Sequence, residues 1–152
     1  MRLSLLRHGR AEWPAGRYAD FDRPLDTVGQ SEAAEAAAAL AALDPASTLL
    51  LHSSAVRTSQ TAMAVRDAYP PGQLTTLSEP RLYLAGPRRI CQILDELAGE
   101  TAHVVLVGHN PGLSELAQRM PGISAAGLAT GEWVSAQLWA SSRSFSATFF
   151  PK

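Results

Sequence analysis

The sequence predicts an α/β protein: a three-layer α/β/α sandwich with a mostly parallel central sheet and a C-terminal antiparallel strand or hairpin. Three observations predict it. Short apolar runs at 2–7, 48–51 and 103–107 alternate with longer helix-forming stretches, the pattern of a parallel sheet with helices on both faces. The run His103-Val104-Val105-Leu106-Val107 is apolar after its first residue and β-branched, as suits a central strand covered on both sides. Beyond residue 131 the chain turns to two strand-like segments, 132–140 and 144–150, joined as a hairpin around Ser141-Ser142-Arg143.

Each element has a local cause. The apolar run 2–7 reads as a buried strand, and residues 11–23, with Pro14, Gly16, Asp20 and Asp22, read as a loop. Thr27-Val28-Gly29-Gln30 fits a capping box, with Gln30 three residues after Thr27. The alanine-rich stretch 31–43 that follows is strongly helix-forming, and Asp44-Pro45 ends it. Residues 54–69 form a helix closed by Pro70-Pro71-Gly72, and 73–77 a weaker strand. Pro87 sits at the first turn of an amphipathic helix over 87–97. Asn110-Pro111-Gly112 turns the strong strand into a helix over 113–120. Nothing along residues 1–152 reads as a linker, a repeat or a second domain, so one domain is expected.

Composition narrows the function classes. A hydrophobic share of 46% and a charged share of 18% are ordinary for a soluble globular domain. A net charge of −1 favours neither nucleic acid nor an anionic membrane as partner. Lys152 is the only lysine among the 13 basic residues, so any phosphate-sized anion must be met by arginine forks. Cys91 is the only cysteine, which excludes an intrachain disulfide and suits a reducing compartment. No segment approaches the roughly 18 apolar residues of a membrane span. The short apolar opening ends at Arg7-His8, too soon for a secretory core, so a cytoplasmic protein is expected, with a monomer as the default state.

In open parallel sheets ligands bind beyond the carboxyl ends of the strands. After the first strand come Arg7, His8 and Gly9. After the second come His52, Ser53 and Ser54, with Arg57 opening the next helix. After the strong strand come Gly108, His109 and Asn110. Two histidines and two arginines thus converge on one sheet edge. Two guanidinium forks with helix N-terminal amides make a receptor for phosphoryl oxygens. A neutral imidazole among them can attack phosphorus and carry it covalently, while a second, if protonated, can stabilise charge building on the equatorial oxygens. No acidic cluster has Mg²⁺ spacing and no His/Cys cluster resembles a zinc site, so no metal and no cofactor are expected. Nucleotide-binding glycine motifs are lacking.

At these residues the sequence resembles the histidine phosphatase superfamily, and most of all its small phosphohistidine phosphatases of the SixA type. The resemblance rests on Arg7-His8-Gly9, on residues 53–61 (Ser-Ser-Ala-Val-Arg-Thr-Ser-Gln-Thr), on Val107-Gly108-His109-Asn110, and on Arg23-Pro24-Leu25 with Thr27-Val28-Gly29; it spans about residues 1–120. It implies His8 as nucleophile, Arg7 and Arg57 as holders of the phosphoryl oxygens, His109 completing the pocket, and Arg23 as a further phosphate contact. Gly9 and Asn110 join the expected substrate-binding set. Family members acting on alcohol phosphates usually carry a glutamate proton donor after the third strand. Here the corresponding stretch is Glu79-Pro80-Arg81-Leu82-Tyr83-Leu84, and the donor position is Leu84.

A placed general acid is worth roughly 10² to 10⁴ in rate. Its loss is least harmful to leaving groups that need little protonation, such as the imidazole of phosphohistidine. The expectation is therefore a metal-independent phosphatase with a phospho-His8 intermediate, acting on phosphohistidine in a phosphoprotein. The alternatives are a phosphomonoesterase for small sugar or other alcohol phosphates, with Glu12, Asp20, Asp22 or Glu79 as substitute acid, and a non-catalytic phosphate-binding module.

Other conspicuous residues read as structural. His52 and His103 sit at strand ends without a motif role, Ser53 and Ser54 suit a turn and a helix cap, and Arg88 and Arg89 a solvated helix face. Arg23 could equally pair with Asp22. Arg57 is the exception, because a cation at a helix start opposes the macrodipole and so points to an anion. Trp13 and Tyr18 fit a pocket rim or local packing equally well, and Trp133 and Trp139 the core of the terminal strands.

Overall fold

A computed structural model of the chain describes residues 1–13, 16–43, 47–138 and 144–151. Five strands form one sheet: β1 (Arg2–Arg7), β2 (Thr48–His52), β3 (Leu74–Ser78), β4 (His103–Gly108) and β5 (Trp133–Gln137). Their spatial order is β3-β2-β4-β1-β5, parallel except for β5, which runs antiparallel beside β1. Helices α1 (Thr27–Ala41) and α2 (Val56–Ala68) cover one face, and α3 (Pro87–Leu97), α4 (Gly112–Ala117) and α5 (Phe145–Phe149) the other. The three-layer architecture expected from the sequence is present. Among the described residues no helix is long and apolar enough to cross a membrane.

β4 is central and every one of its residues is buried, which accounts for its unbroken apolar run. Side chains alternate across the sheet. Leu3 and Leu5 join Val104 and Leu106 against α3 and α4, while Leu6 joins Val105 and Val107 against α1 and α2. The alanine tract is the inner face of α1: Ala33, Ala36, Ala37 and Leu40 are buried, and small side chains let α1 lie close against the sheet and α2. β3 is the outer edge, largely exposed, in keeping with its weak apolar signal.

Two local expectations are corrected. The segment 144–150 is not the second arm of a hairpin. Residues 145–149 form α5, capped by Ser144 Oγ, which accepts from the Ala147 N–H at 3.1 Å. Asp95 on α3 accepts from the N–H of Ser146 at 3.2 Å and also from that of Phe145, so one carboxylate satisfies the first helical donors. Phe145 and Phe149, four residues apart, both enter the core. The connection 139–143, and with it Trp139, lies outside the described residues; Trp133 is half-buried and packs toward the α1/α2 side. At the other correction, α1 begins at Thr27 and its cap is Asp26, whose carboxylate accepts from the Gly29 N–H at 2.7 Å. The cap thus sits one residue earlier than the Thr27–Gln30 box implies, and the amide it satisfies is that of Gly29 rather than that of Gln30.

The register positions the site. Arg7 pairs with Gly108 and His52 with Val107, so β1, β4 and β2 end at one level. The residues that follow them, His8, His109 and Ser53, therefore emerge side by side.

Candidate active site

The three strand ends open into a cleft of about 710 Å³. Arg7, His8, Arg23, Arg57, His109 and Asn110 all line it, together with Trp13, Asp20 and Leu84. Six of the seven residues singled out from the sequence are thus brought together. Gly9 lies just behind: its N–H donates to Thr61 Oγ1 at 3.1 Å, and it does not line the cleft.

Arg57 is the hub. As the second residue of α2 it reaches back over the strand ends, and it is almost wholly buried. Its Nε donates to His8 Nε2 at 3.2 Å and its Nη2 to His109 Nδ1 at 3.3 Å. The two imidazoles lie 5.3 Å apart between ring centroids.

Each imidazole has its tautomer set by a partner. His8 Nδ1–H donates to the Gly9 carbonyl at 2.7 Å, which leaves the lone pair on Nε2, facing Arg57. His109 Nε2–H donates to Ser53 Oγ at 2.8 Å, leaving its lone pair on Nδ1. Burial, then the charges of Arg57, Arg7 and Arg23, push His8 down to about 4 against the opposing pull of the Gly9 carbonyl. Burial and the neighbouring Arg57 and His8 push His109 down to about 3. Both rings are neutral at pH 7 in the free site. The charge-stabilising role open to a protonated second imidazole is not available in this state, because burial beside a guanidinium disfavours a second positive charge. A bound phosphoryl dianion would supply the countercharge that reverses this.

Arg7 donates from Nη1 to the Leu128 carbonyl at 3.0 Å, and its Nε is buried without a partner. Asn110 Nδ2 donates to the same carbonyl at 2.8 Å, while its Oδ1 accepts from Ser114 Oγ at 2.6 Å. Arg23 donates from Nε to the Glu12 carbonyl at 2.8 Å and from Nη1 to Asp20 Oδ1 at 3.1 Å, and its guanidinium lies 5.5 Å from the ring centre of Trp13. Its acidic partner is Asp20 rather than Asp22.

Of the four candidate substitute acids, Glu12, Asp22 and Glu79 do not line the cleft; Glu79 is tied to Arg81 at 2.8 Å. Asp20 does, and it is the residue whose part the sequence understated. Its carbonyl accepts from Arg57 Nη1 at 2.6 Å, its Oδ2 from Arg57 Nη2 at 3.1 Å, and the Tyr83 hydroxyl donates to Oδ2 as well. The Tyr83 bond first, then those to Arg23 and Arg57, hold its carboxyl down at about 2. Tyr83 packs edge-on against His109, with ring centroids 5.4 Å apart. Ser53, Thr61 and Tyr83 were not legible as site residues: Ser53 has the form of a helix cap, and Tyr83 carries only the hint of preceding the donor position.

Leu84 stands in the cleft wall, 55% exposed, with φ of 51°. A leucine side chain here offers no proton to a leaving group.

The chain has known relatives. The family model of the histidine phosphatase superfamily (branch 1) matches residues 3–82. The His109 motif lies past that span, and β4 brings it into the same site. An uncharacterized protein of Mycobacterium tuberculosis (strain H37Rv) is 33% identical over 130 residues, 86% of this chain and 78% of the relative. Among solved structures, one assigned as the phosphohistidine phosphatase SixA of Agrobacterium tumefaciens is 31% identical with a TM-score of 0.75, covering 88% of this chain and 89% of that one. The protein histidine phosphatase SixA in complex with tungstate is 28% identical with a TM-score of 0.75, over 91% of this chain and 88% of that one. A mycobacterial glucosyl-3-phosphoglycerate phosphatase, at 19% identity and a TM-score of 0.65 over 88% of this chain and 90% of that one, shares the fold. The chain belongs to the histidine phosphatase superfamily, and within it to the SixA type.

Proposed function

We propose that the protein is a metal-independent phosphatase that takes the phosphoryl group of a phosphohistidine in a protein substrate onto His8 Nε2 and then releases it to water. The observation that carries this is the orientation of His8. Its Nδ1–H is spent on the Gly9 carbonyl, and its neutral Nε2 lone pair is aimed at the guanidinium that would hold phosphoryl oxygens. Attack by that lone pair forms the nitrogen–phosphorus bond, and the bond from phosphorus to the substrate imidazole breaks. A substrate ring protonated on its other nitrogen departs as neutral imidazole and needs no proton from the enzyme. Arg7 and Arg57 are the phosphoryl-oxygen forks, His109 the third contact, and Arg23 and Asn110 the support at the rim, while Gly9 acts by orienting His8. Guanidinium charge serves here where other phosphatases use a metal cation.

The alcohol-phosphate reading needs a protonated acid in the cleft. Asp20, held near 2, is ionised, and Leu84 occupies the donor position, so the site suits a leaving group that departs unaided. The rim also suits a macromolecular substrate: Trp13 is 81% exposed and Leu84 55%, so the mouth is open among the described residues.

The test is hydrolysis of a phosphohistidine peptide and of an aryl phosphate in EDTA, by the parent and by His8→Ala. We expect turnover to survive EDTA and to fall on the order of 10⁴-fold or more in the variant. Acid-labile, base-stable phosphorylation of the parent during turnover separates an enzyme from a binding module. Undiminished hydrolysis by His8→Ala would remove the nucleophile assignment, and loss of turnover in EDTA the metal-independent one.

A further inference from the structure

We infer that Asp20 holds and deprotonates the water that releases phosphate from phospho-His8, so that a residue outside the three motifs serves the second half of the reaction. The inference rests on the reading of His8 as nucleophile.

The placement of Asp20 carries it. The Arg57 guanidinium meets His8 through Nε at 3.2 Å, and through its two terminal nitrogens it meets Asp20, at 2.6 Å to the carbonyl and 3.1 Å to Oδ2. The guanidinium that would hold a phosphoryl group thus meets His8 through one nitrogen and Asp20 through the other two. Displacement at phosphorus is in line, so water replacing the His8 nitrogen must arrive from the side away from His8, and that side is assigned to Asp20, the cleft carboxylate held on the same guanidinium.

The attachments of Asp20 keep it there. Phosphoryl oxygens that take over Arg57 leave the carboxylate with Arg23 Nη1 on Oδ1, at 3.1 Å, and the Tyr83 hydroxyl on Oδ2. Tyr83 is braced edge-on between Phe21, at 5.1 Å, and His109, at 5.4 Å, so the anchor is a packed ring rather than a free side chain. The other cleft carboxylate among the described residues that could compete, Asp26, is committed to capping α1 and to an ion pair with Arg10. Free of substrate, the carboxyl of Asp20 is held far down by its three partners. Surrendering Arg57 and facing a phosphoryl dianion both raise it toward the range of a useful base.

The step balances. The water oxygen bonds to phosphorus, and the bond from phosphorus to His8 Nε2 breaks, its electron pair returning to the ring. His8 leaves as neutral imidazole because its Nδ1–H has stayed on the Gly9 carbonyl throughout. One water proton passes to an Asp20 carboxylate oxygen and then to solvent, and inorganic phosphate departs.

Single-turnover quench of the full chain with phosphoimidazole tests this by following formation and decay of phospho-His8. In Asp20→Asn and Asp20→Ala we expect formation at near the parental rate, decay slowed roughly 10²-fold and phosphoenzyme accumulating. In steady state kcat and KM would then fall together. Asp22→Asn, an exposed change in the same turn, serves as the comparison and should decay like the parent. Parental decay in both Asp20 variants overturns the inference. So does a lowered KM with unchanged decay, which would make Asp20 only an anion competing for Arg57. Failure of the parent to form any phospho-His8 would instead overturn the nucleophile reading beneath it.

Discussion

Leu84 concentrates the question of leaving group in one side chain. Its backbone is left-handed, with φ of 51°, a conformation that costs a leucine roughly 1 kcal/mol or more and that places its side chain on the cleft wall. The resemblance puts a glutamate donor at this position. Restoring one by Leu84→Glu should raise kcat/KM for an alkyl phosphate roughly 10-fold or more, toward the lower end of what a placed acid contributes. Phosphoimidazole, which departs without help, should change little. Equal effects on both substrates would show that position 84 does not face the leaving group. Ser53 teaches a different lesson at this scale. Its hydroxyl is buried and accepts the His109 Nε2–H, so a residue with the form of a helix cap in fact sets which nitrogen of a site histidine is free.

At the scale of elements, the site depends on how closely α1 approaches the turn after β1. Gly9 does not need a left-handed φ; what excludes a side chain there is distance, since a Cβ would lie 2.3 Å from the Gly29 carbonyl oxygen. Gly29, in the first turn of α1, is closed in equally, by the Arg10 carbonyl oxygen at 2.0 Å. The two glycines let the helix start press on the loop that carries His8. Gly29→Ala must push backbone against backbone, and we expect it to cost roughly 3 kcal/mol, the upper range for overpacking. In a chain of this length that is a drop of roughly 6 to 12 °C in Tm, which thermal unfolding by circular dichroism would read. Gly127→Ala, whose nearest neighbour is Ser114 Oγ at 3.7 Å, is the matched comparison. A Gly29→Ala protein melting with the parent would mean that the helix can back away freely.

Across the whole molecule, burial holds His8, His103 and His109 neutral. Burial is the main cause for each, taking His8 and His103 to about 4 and His109 to about 3. His103 is far from the cleft, bonded through Nε2 to Ser4 Oγ at 2.8 Å inside the sheet layer. In the unfolded chain these rings titrate near 6.5. Between about 6.5 and 4 the unfolded state therefore binds protons that the folded state refuses, so stability is full above 6.5 and declines as pH falls through that window. Asp20 acts lower, below its unfolded value of 3.8, and does not contribute within it. Urea midpoints in phosphate-free buffer should fall steadily from pH 6.5 to 4.5. A flat profile there would mean that the rings are not held neutral.

Much of this was legible in the chain itself. The apolar runs, the proline and glycine stops and the alanine tract specified strands and helices because those signals act between neighbours a few residues apart. The same is true of the convergence of Arg7, His8, Arg57 and His109: each follows a strand end, and parallel strands end together. What the sequence could not determine is what depends on contacts across the fold. α5 forms where a hairpin arm was expected because Asp95, fifty residues away in sequence on α3, accepts its first amides. Asp20 reads as one loop carboxylate among several until tertiary packing sets it against Arg57, Arg23 and Tyr83. The charge state of the two site imidazoles was likewise decided only by the fold, because burial and guanidinium neighbours belong to three dimensions and leave no mark in residue order.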